Sequence, residues 1–368
     1  MNKVGVIGSG NWGTTVAHLL ATNGRDVVLC TRNREVLHEM NEYHTNKKYT
    51  GSSPLSKKIK ATQNLKEVTD HCSIIFVIVP SQVFREVSFE LGHTVRGDQI
   101  LVSGTKGIEK GTCKTMSDIL KEETCCKKVG SLSGPNIANE ILSGQPSGAV
   151  VGSHYEEVIH DVIDLFSTSV IPHKDPGSSS YFPFKVYGSY DLKGVELGGA
   201  LKNIIAIGSG IATGLGLQTN SKSFLVTRGL GEMTRLGVFL GAQKETFLGL
   251  SGMGDLVTTC FSTLSRNNTF GRLLSQGKSK EAILKEIGMV VEGVYTTEIA
   301  YEISQKFQIP MPITEGLYKI LFERASVEVV LKGLLKFDVT YEDEGYKTVF
   351  TEAKHLLVNK FPTPEYLF

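Results

Sequence analysis

The chain has 368 residues, of which 40% are hydrophobic and 21% are charged, and its formal net charge is +1. This length accommodates a large hydrophobic core divided between two domains. The near-neutral charge excludes a global electrostatic field that would recruit nucleic acid or an anionic membrane, so an anionic ligand requires a local cluster of bases.

The cysteines and the apolar stretches indicate a cytoplasmic protein. The six cysteines lack metal-ligand spacing, and we expect reduced thiols with neither a disulfide nor zinc. Charges or glycines interrupt the longest apolar stretches at short intervals, so we expect no stable membrane insertion. The sequence passes from Met1-Asn2-Lys3 directly into an apolar strand, and we expect no signal peptide.

The first predicted unit is a strand, a glycine turn and a helix in the segment KVGVIGSGNWGTTVAHLLATNG. Gly8, Gly10 and Gly13 fit the pattern G-x-G-x-x-G. In this pattern the first glycine permits a tight turn, the second lets the backbone approach a pyrophosphate, and the third lets the helix pack on the strand. The helix amino terminus then offers amide donors to the phosphates. The segment therefore predicts a dinucleotide site.

Further strands alternate with helical stretches as far as residue 189. The predicted strands are DVVLCT, SIIFVIVP, QILVSGTKG, VGSLSGPN and KVYGS. Apolar strands that alternate with helices indicate a parallel sheet covered by helices on both faces. We therefore predict an α/β, Rossmann-type, doubly wound and mainly parallel sheet in residues 1–189. A turn-rich surface excursion at 175–184 comes just before the last predicted strand.

The end of the second strand bears on the choice of coenzyme. An acid at this place hydrogen-bonds the 2′-hydroxyl of NAD, whereas an arginine accommodates the 2′-phosphate of NADP. Arg32 falls at this place, Arg34 follows it, and Glu35 belongs to the next predicted helix. The alternative is that both arginines are solvated loop residues. The pattern favours acceptance of NADPH and leaves NAD as an option.

Three other strand ends carry small and polar residues, in the segments VPSQ, SGTKG and SGPN. The carboxyl ends of parallel strands open onto the crevice in which such sheets bind ligands. Lys106, in SGTKG, would project a cation towards this crevice. Its alternative is an ordinary exposed loop lysine, but three such turns on one edge favour a site.

From Tyr190 the strand signals stop, and helical periods continue through Glu323. We predict an all-α carboxy-terminal domain in residues 190–336. A carboxy-terminal extension in residues 337–368 mixes acids and aromatics, and we expect it to pack against the body or a partner subunit.

Polar residues in apolar surroundings predict a site in this helical domain. Lys202 and Asn203 lie in GVELGGALKNIIAIGSGIATG, and burial of an unpaired ammonium is costly. Asp255 lies in GLSGMGDLVTTCFS, where its alternative role is a helix cap. Arg266 and Asn267 follow a serine, and their alternative is a solvated helix entrance.

In chain order, the segments GSGNWGT, SGTKG, SGPN, GVELGGALKNIIAI, TRGLGEMTRLG, GLSGMGDLVTTC, SRNNTFG and VVEGVYTT resemble those of the soluble NAD(P)-dependent glycerol-3-phosphate dehydrogenases, closest to the bacterial type. The resemblance covers residues 3–335. It implies reversible hydride transfer between NAD(P)H and C2 of dihydroxyacetone phosphate, giving sn-glycerol 3-phosphate for phospholipid synthesis. It also implies a homodimer and a reaction without a metal.

The resemblance further implies residue roles. Lys202 matches the family's general acid/base, Lys106 matches a lysine that contacts substrate and coenzyme, and Asp255 and Thr259 match the polar pair beside the catalytic lysine. The positions implied for the dinucleotide are Gly8, Ser9, Gly10, Asn11, Trp12, Gly13, Arg32, Tyr49, Lys106, Ala138, Arg266, Val290 and Glu292. The positions implied for the substrate are Lys106, Gly134, Asn136, Lys202, Asn203, Asp255, Ser265, Arg266 and Asn267. Asn136 stands where many bacterial members carry serine.

A buried lysine suits the implied chemistry, because an ammonium stabilises a developing alkoxide and then donates its proton. Burial and a nearby Lys106 would lower the pKa of Lys202 from about 10.4, and Asp255 would oppose that shift. One alternative is a dehydrogenase of a hydroxy acid or a ketopantoate-like carboxylate. Another is a catalytically silent NADP(H) sensor, which would lack Lys202 or Arg266.

Overall fold

A computed structural model describes residues 3–167, 170–172 and 181–335. The predicted extension at 337–368 and residues 175–180 of the predicted surface excursion lie outside the described residues. The remainder of that excursion, residues 181–184, belongs instead to the last strand, which begins at Tyr181 and pairs with two neighbouring strands.

Nine strands of the described residues form one sheet with the order β3-β2-β1-β4-β5-β6-β7-β9-β8. Neighbouring strands from β3 to β6 are parallel, β7 is antiparallel to β6, and β9 is parallel to β7. The strands are β1 (Lys3–Ile7), β2 (Asp26–Cys30), β3 (Ile59–Thr62), β4 (Ile74–Val77), β5 (Ile100–Ser103), β6 (Val129–Ser133), β7 (Ser147–Ser153), β8 (Val170–Pro172) and β9 (Tyr181–Ser189). The predicted mainly parallel, doubly wound sheet is confirmed.

Three strands were absent from the sequence prediction. β3 and β8 have only four and three residues, which is too short for a clear alternating pattern. β7, with the sequence SGAVVGS, is rich in glycine and serine, two residue types that locally indicate a loop. Its pairing with β6 and β9, rather than its own composition, makes it a strand.

Helices cover both faces of this sheet. They are α1 (Asn11–Thr22), α2 (Arg34–Tyr43), α3 (Lys47–Thr50), α4 (Leu65–His71), α5 (Phe84–Gly92), α6 (Met116–Glu123), α7 (Ala138–Leu142) and α8 (Glu156–Phe166). One apolar core includes residues of α1 and α8, and a second includes residues of α4, α5 and α6. The strands between these cores are buried on both sides, which explains their continuous apolar runs.

After Ser189 the described chain is helical. The helices are α9 (Leu192–Gly214), α10 (Thr219–Phe239), α11 (Asp255–Phe261), α12 (Arg266–Ser275), α13 (Lys280–Ile287), α14 (Glu292–Phe307), α15 (Pro312–Phe322) and α16 (Val327–Leu335). A short 3₁₀ helix (Lys244–Leu248) and a π-helical turn (Leu250–Gly254) precede α11. The predicted all-α carboxy-terminal half is confirmed.

The central element of this half is α9, which packs against α10, α11, α12 and α14. By length and composition α9 is apolar enough to cross a membrane, but 94% of its most apolar stretch is buried inside the protein. Composition therefore does not distinguish α9 from a membrane span, whereas its packing makes it the core of the helical half. Ile108, from the loop after β5, also belongs to this core, so the two halves share apolar contacts.

Candidate active site

The glycine turn after β1 has a geometry that only glycine satisfies at two positions. Gly8 has φ of +111°, and a Cβ on Gly8 would lie 2.1 Å from the Ile78 carbonyl oxygen. A Cβ on Gly13 would lie 2.1 Å from the Gly8 carbonyl oxygen. Around Gly10, by contrast, a Cβ would meet no atom within 4 Å. The turn is thus tight on its inner side and open where α1 begins, which fits a phosphate at the helix amino terminus.

Buried polar side chains brace this turn. The hydroxyls of Ser9 and Thr31 lie 2.6 Å apart and join the ends of β1 and β2. The Nδ2 of Asn46, which is completely buried, donates to the Ser9 carbonyl (2.9 Å) and to the Thr14 hydroxyl (2.8 Å). Sequence reasoning missed Asn46, because a single asparagine before a four-residue helix has no local pattern that indicates such a role.

Several positions implied for the dinucleotide surround the turn. Within the described part of the chain, Asn11 Oδ1 and Trp12 Nε1 are buried polar atoms without a hydrogen-bond partner. Such atoms are uncommon in proteins and fit a site that a polar ligand completes. Tyr49, on α3, is partly buried against the core beside the sheet, and Ala138 is the first residue of α7, which contacts α1.

The arginines after β2 lie at the surface. Arg32 is exposed, and its Nη1 lies 3.7 Å from Glu86 Oε1. Arg34, the first residue of α2, is also exposed, and Glu35 lies in the first turn of that helix as predicted. Both arginines are therefore solvated, although Arg34 belongs to a helix and not to a loop. The ion pair of Arg32 with Glu86 is itself exposed.

Lys202 is buried in α9, with 6% of its surface exposed. Its Nζ donates to Thr259 Oγ1 (2.5 Å) and lies 3.0 Å from Asp255 Oδ1. The Thr259 hydroxyl in turn donates to Asp255 Oδ1 (3.2 Å). The pKa of Lys202 is lowered to about 8, because burial and, to a smaller extent, the cation of Lys106 outweigh the opposing effect of Asp255. An amine has three N–H donors when protonated, so these contacts leave one donor for a ligand.

Lys106 reaches the same carboxylate from the other half of the protein. Its Nζ donates to Asp255 Oδ2 (2.6 Å) and to the Gly134 carbonyl (2.9 Å). The exposed-loop alternative for Lys106 is wrong, because only 19% of its side chain is accessible. Two ammonium groups therefore share one buried carboxylate at the edge of the sheet.

Asp255 is the first residue of α11, and the N-cap position before it belongs to Gly254. Both carboxylate oxygens instead face lysines, and the residue is 2% exposed. The cap considered from the sequence is therefore not observed. The two ion pairs compensate the burial of this carboxylate.

The SGPN turn lies beside Lys106. The Nδ2 of Asn136 donates to the Gly148 carbonyl (2.9 Å) and lies 3.3 Å from Ser147 Oγ. Its Oδ1 is buried and has no partner in the described part of the chain. The amide is thus anchored by its nitrogen to the antiparallel strand β7, which the sequence prediction did not contain.

A second polar chain starts at the neighbour of Lys202. Asn203 Oδ1 accepts a hydrogen bond from Asn267 Nδ2 (2.7 Å), and Asn267 Oδ1 accepts from the Gly293 amide (2.9 Å). Glu292, which precedes that glycine, accepts hydrogen bonds from the Ser81 amide (3.1 Å) and from Ser81 Oγ (2.6 Å). These contacts join α9, α12 and α14 to the turn after β4.

The entrance of α12 combines a buried and an exposed residue. Ser265 caps the helix by accepting a hydrogen bond from the Asn268 amide, while Asn267 is buried. Arg266 is exposed, and its Nη1 donates to the Val290 carbonyl (2.7 Å). The alternative of a solvated helix entrance is therefore wrong for Asn267, which is buried, and holds for Arg266, which is exposed. The guanidinium of Arg266 has further N–H donors that a ligand can use.

Within the described ranges, no group of three His, Cys, Asp or Glu side chains is arranged to hold a metal ion. The six cysteines are free thiols, and burial raises the pKa of Cys260, which follows Thr259, to about 12.

Comparison with known proteins gives a consistent result. Models of the "NAD-dependent glycerol-3-phosphate dehydrogenase" amino and carboxyl termini match residues 3–159 and 191–332. The chain is similar to proteins named glycerol-3-phosphate dehydrogenase [NAD(P)+] from Macrococcus caseolyticus (41% identity, 93% of this chain and 100% of the relative) and Carboxydothermus hydrogenoformans (44%, 90% and 96%). The crystal structure of glycerol-3-phosphate dehydrogenase from Coxiella burnetii is similar at 33% identity, with a TM-score of 0.82 over 91% of this chain and 99% of that chain.

Proposed function

The chain belongs to the NAD-dependent glycerol-3-phosphate dehydrogenase family, and from this premise we propose that it interconverts dihydroxyacetone phosphate and sn-glycerol 3-phosphate with Lys202 as the general acid/base. The observation that carries the proposal is the buried amine of Lys202, which shares Asp255 with Lys106. We further propose that the enzyme acts as a cytoplasmic homodimer that supplies phospholipid synthesis.

The amino-terminal half has the features that a dinucleotide requires. The open face at Gly10, the amides that begin α1 and the unpartnered Trp12 Nε1 support pyrophosphate and nicotinamide binding on this side of the crevice. Arg32 supports contact with a 2′-phosphate, and therefore use of NADPH. When bound, the reduced nicotinamide supplies the hydride for the C2 carbonyl.

Lys202 then completes the proton balance. As charge develops on the carbonyl oxygen, the ammonium stabilises it and transfers a proton to it, giving the alcohol and a neutral amine. In the reverse direction the neutral amine accepts the hydroxyl proton. A pKa of about 8 suits both directions, because both protonation states are accessible near neutral pH.

Asp255, Thr259 and Lys106 prepare the amine for this task. Asp255 and Thr259 hold Lys202 Nζ at 3.0 Å and 2.5 Å and fix its direction. Lys106 places a second positive charge beside it, which lowers the pKa of Lys202 and attracts an anionic substrate. The carboxylate balances one of the two charges, so the site keeps a net positive charge for the phosphate ester.

The substrate phosphate requires a separate anchor. Arg266, at the exposed start of α12, has free guanidinium donors, and a guanidinium binds phosphate oxygens through two parallel hydrogen bonds. Asn203 and Asn267 form a hydrogen-bonded pair between Lys202 and this helix. Anchoring the phosphate would orient C2 relative to Lys202, which contributes to the rate as well as to affinity.

The direct test is the choice of substrate. The purified enzyme with NADPH is assayed with dihydroxyacetone phosphate and, in parallel, with a panel of 2-keto acids that includes ketopantoate. The proposal expects turnover of dihydroxyacetone phosphate, and unphosphorylated dihydroxyacetone serves as the matched control for the phosphate anchor. Preferential reduction of a keto acid would overturn it.

A further inference from the structure

A second buried carboxylate on α9 lies at the junction with α6. Glu196, six residues before Lys202, is 4% exposed. Its Oε1 accepts a hydrogen bond from the Ser117 amide (2.8 Å) and its Oε2 accepts one from Ser117 Oγ (2.6 Å). Ser117 is the second residue of α6, so its amide is one of the amino-terminal donors that the helix itself does not satisfy. Glu196 therefore fixes α9 to the start of α6 at two points.

A second ion pair strengthens the same junction. Lys193 Nζ, one turn earlier on α9, lies 2.7 Å from Asp118 Oδ2 on α6. Asp118 also accepts hydrogen bonds from the amide and the hydroxyl of Thr115, which caps α6. The start of α6 is thus fixed both internally and to α9.

The segment that carries Lys106 ends at this junction. β5 ends at Ser103, Lys106 follows, and the chain then returns to α6. Ile108 forms an isolated antiparallel bridge with Thr115, and its side chain is buried in the helical core. A displacement of α6 from α9 would therefore be transmitted to the segment from Lys106 to Ile108.

Lys106 also packs directly on α9. A Cβ built on Gly199 would lie 3.4 Å from Lys106 Cγ and 3.5 Å from Lys106 Cδ. Gly199 lies three residues after Glu196 and three before Lys202, so consecutive turns of one helix contact α6, the stem of Lys106 and Asp255.

We propose that Glu196 is a positioning residue, which holds the Lys106 segment against α9 so that Lys106 and Lys202 reach opposite oxygens of Asp255. The proposal rests on the function proposed above for Lys202. Stability alone does not account for this carboxylate, because apolar residues often replace buried polar contacts without loss of stability. A two-point acceptor specifies the position and direction of α6, which an apolar contact does not.

The expected consequence concerns the amine of Lys202. If the Lys106 segment moves away, the cation that lowers the pKa of Lys202 is lost, and this pKa rises above its value of about 8. Besides Lys106, the groups facing Lys202 are Asp255 and Cys260. Direct removal of a negative charge from Glu196 would instead lower the pKa of Lys202. The sign of the change therefore separates positioning from direct electrostatics.

Two substitutions of Glu196 test this inference. Glu196→Leu removes both acceptors, whereas Glu196→Gln keeps a carbonyl acceptor for the Ser117 amide and offers an N–H that the Ser117 hydroxyl can accept. Ser117→Ala is a milder variant for the case that Glu196→Leu fails to fold. The matched control is Glu232→Leu, because Glu232 is a buried carboxylate that accepts hydrogen bonds from Ile313 and Thr314 in α15 and contacts neither lysine.

The pKa of Lys202 is measured from the pH dependence of its chemical labelling, located by mass spectrometry, together with kcat for glycerol 3-phosphate oxidation. We expect Glu196→Leu and Ser117→Ala to raise the pKa of Lys202. Each pKa unit would lower kcat for glycerol 3-phosphate oxidation below pH 8 by about tenfold, because the neutral amine becomes that much rarer. Glu196→Gln and Glu232→Leu should match the wild type in both readouts. An unchanged or lowered pKa in Glu196→Leu and Ser117→Ala, or a Gln variant that behaves like the Leu variant, would overturn the inference. Failure of the catalytic assignment is distinguishable, because labelling reports the pKa even if Lys202 is not required for turnover.

Discussion

Lys202 and Lys106 bind opposite oxygens of the Asp255 carboxylate, at 3.0 Å from Oδ1 and 2.6 Å from Oδ2. They come from different halves of the protein, one from α9 and the other from the turn after β5. Because one carboxylate balances only one of two ammonium groups, the proximity of Lys106 helps to keep the pKa of Lys202 low. Under the proposed function, the shared carboxylate would connect substrate attraction with proton transfer.

The pH dependence should follow the titration of Lys202. Reduction of dihydroxyacetone phosphate requires the ammonium form, so kcat for reduction should be high below pH 8 and fall above it. Oxidation requires the neutral amine, so kcat for oxidation should be low below pH 8 and rise above it. Asp255 raises the pKa of Lys202, so Asp255→Asn should lower this pKa. The pH profiles of kcat in both directions should then shift to lower pH. Profiles of kcat in both directions measure this.

The matched control for Asp255→Asn is Glu298→Gln, which breaks the surface pair with Lys110. That variant should keep the wild-type pH profiles. A shift of the Asp255→Asn profiles to higher pH would contradict the assignment of the titrating group to Lys202, since it would require Asp255 to lower the pKa of Lys202.

A substitution in the glycine turn should weaken coenzyme binding without lowering the stability of the protein. Gly10→Ala places a methyl group in open space at an ordinary φ of −65°, so the free energy of unfolding should change by less than about 0.5 kcal/mol. The same methyl group would occupy the proposed pyrophosphate position, and the Kd for NADPH should rise at least roughly tenfold.

Gly13→Ala provides the contrast, because its Cβ would contact the Gly8 carbonyl oxygen. It should lower the free energy of unfolding by roughly 1–3 kcal/mol. Chemical denaturation and NADPH fluorescence titration measure the two quantities. Wild-type NADPH affinity in Gly10→Ala would argue against a pyrophosphate at this turn.

Arg32 predicts the coenzyme preference. If its guanidinium binds the 2′-phosphate, Arg32→Ala should raise the KM for NADPH by about tenfold, as expected for loss of a hydrogen bond to a charged group. The KM for NADH, which lacks this phosphate, should change little. Arg34→Ala is the control for a general loss of positive charge, and equal effects of Arg32→Ala on both coenzymes would reject the 2′-phosphate contact.

Arg266 predicts the anchor for the substrate phosphate. Arg266→Ala should raise the KM for dihydroxyacetone phosphate by roughly tenfold or more, while Arg266→Lys should recover only part of this loss because an ammonium cannot form two parallel hydrogen bonds. Steady-state kinetics with each substrate varied in turn distinguish the ligands. If only the KM for NADPH rose, Arg266 would belong to the coenzyme site instead.

Local sequence patterns predicted the glycine turn, the alternation of strands and helices and the apolar helix α9, because each depends on residues close together in the chain. They missed β7 and Asn46, whose roles depend on partners elsewhere in the fold. The contact of Lys106 with Asp255 spans 149 residues, and no spacing rule predicts it. The family resemblance supplied the candidate residues, whereas the shared carboxylate and the Glu196 junction required the structure.

Substitution of Lys202 also has a defined effect on stability. The pKa of Lys202 is about 8 in the folded protein, against 10.5 for a solvated lysine such as that of the unfolded chain. Between these two pH values the unfolded chain binds more protons than the folded protein, so the free energy of unfolding rises with pH in this range. At pH 7 the buried ammonium is therefore a net cost. Lys202→Met, which is similar in length and uncharged, should fold with at least the wild-type free energy of unfolding.

The most direct test of the catalytic role is turnover by Lys202→Ala and Lys202→Met. Both variants should bind NADPH with wild-type affinity and reduce dihydroxyacetone phosphate at least about 100-fold more slowly, which is the lower end for loss of a general acid. Near-normal kcat in either folded variant would contradict the central claim that Lys202 transfers the proton.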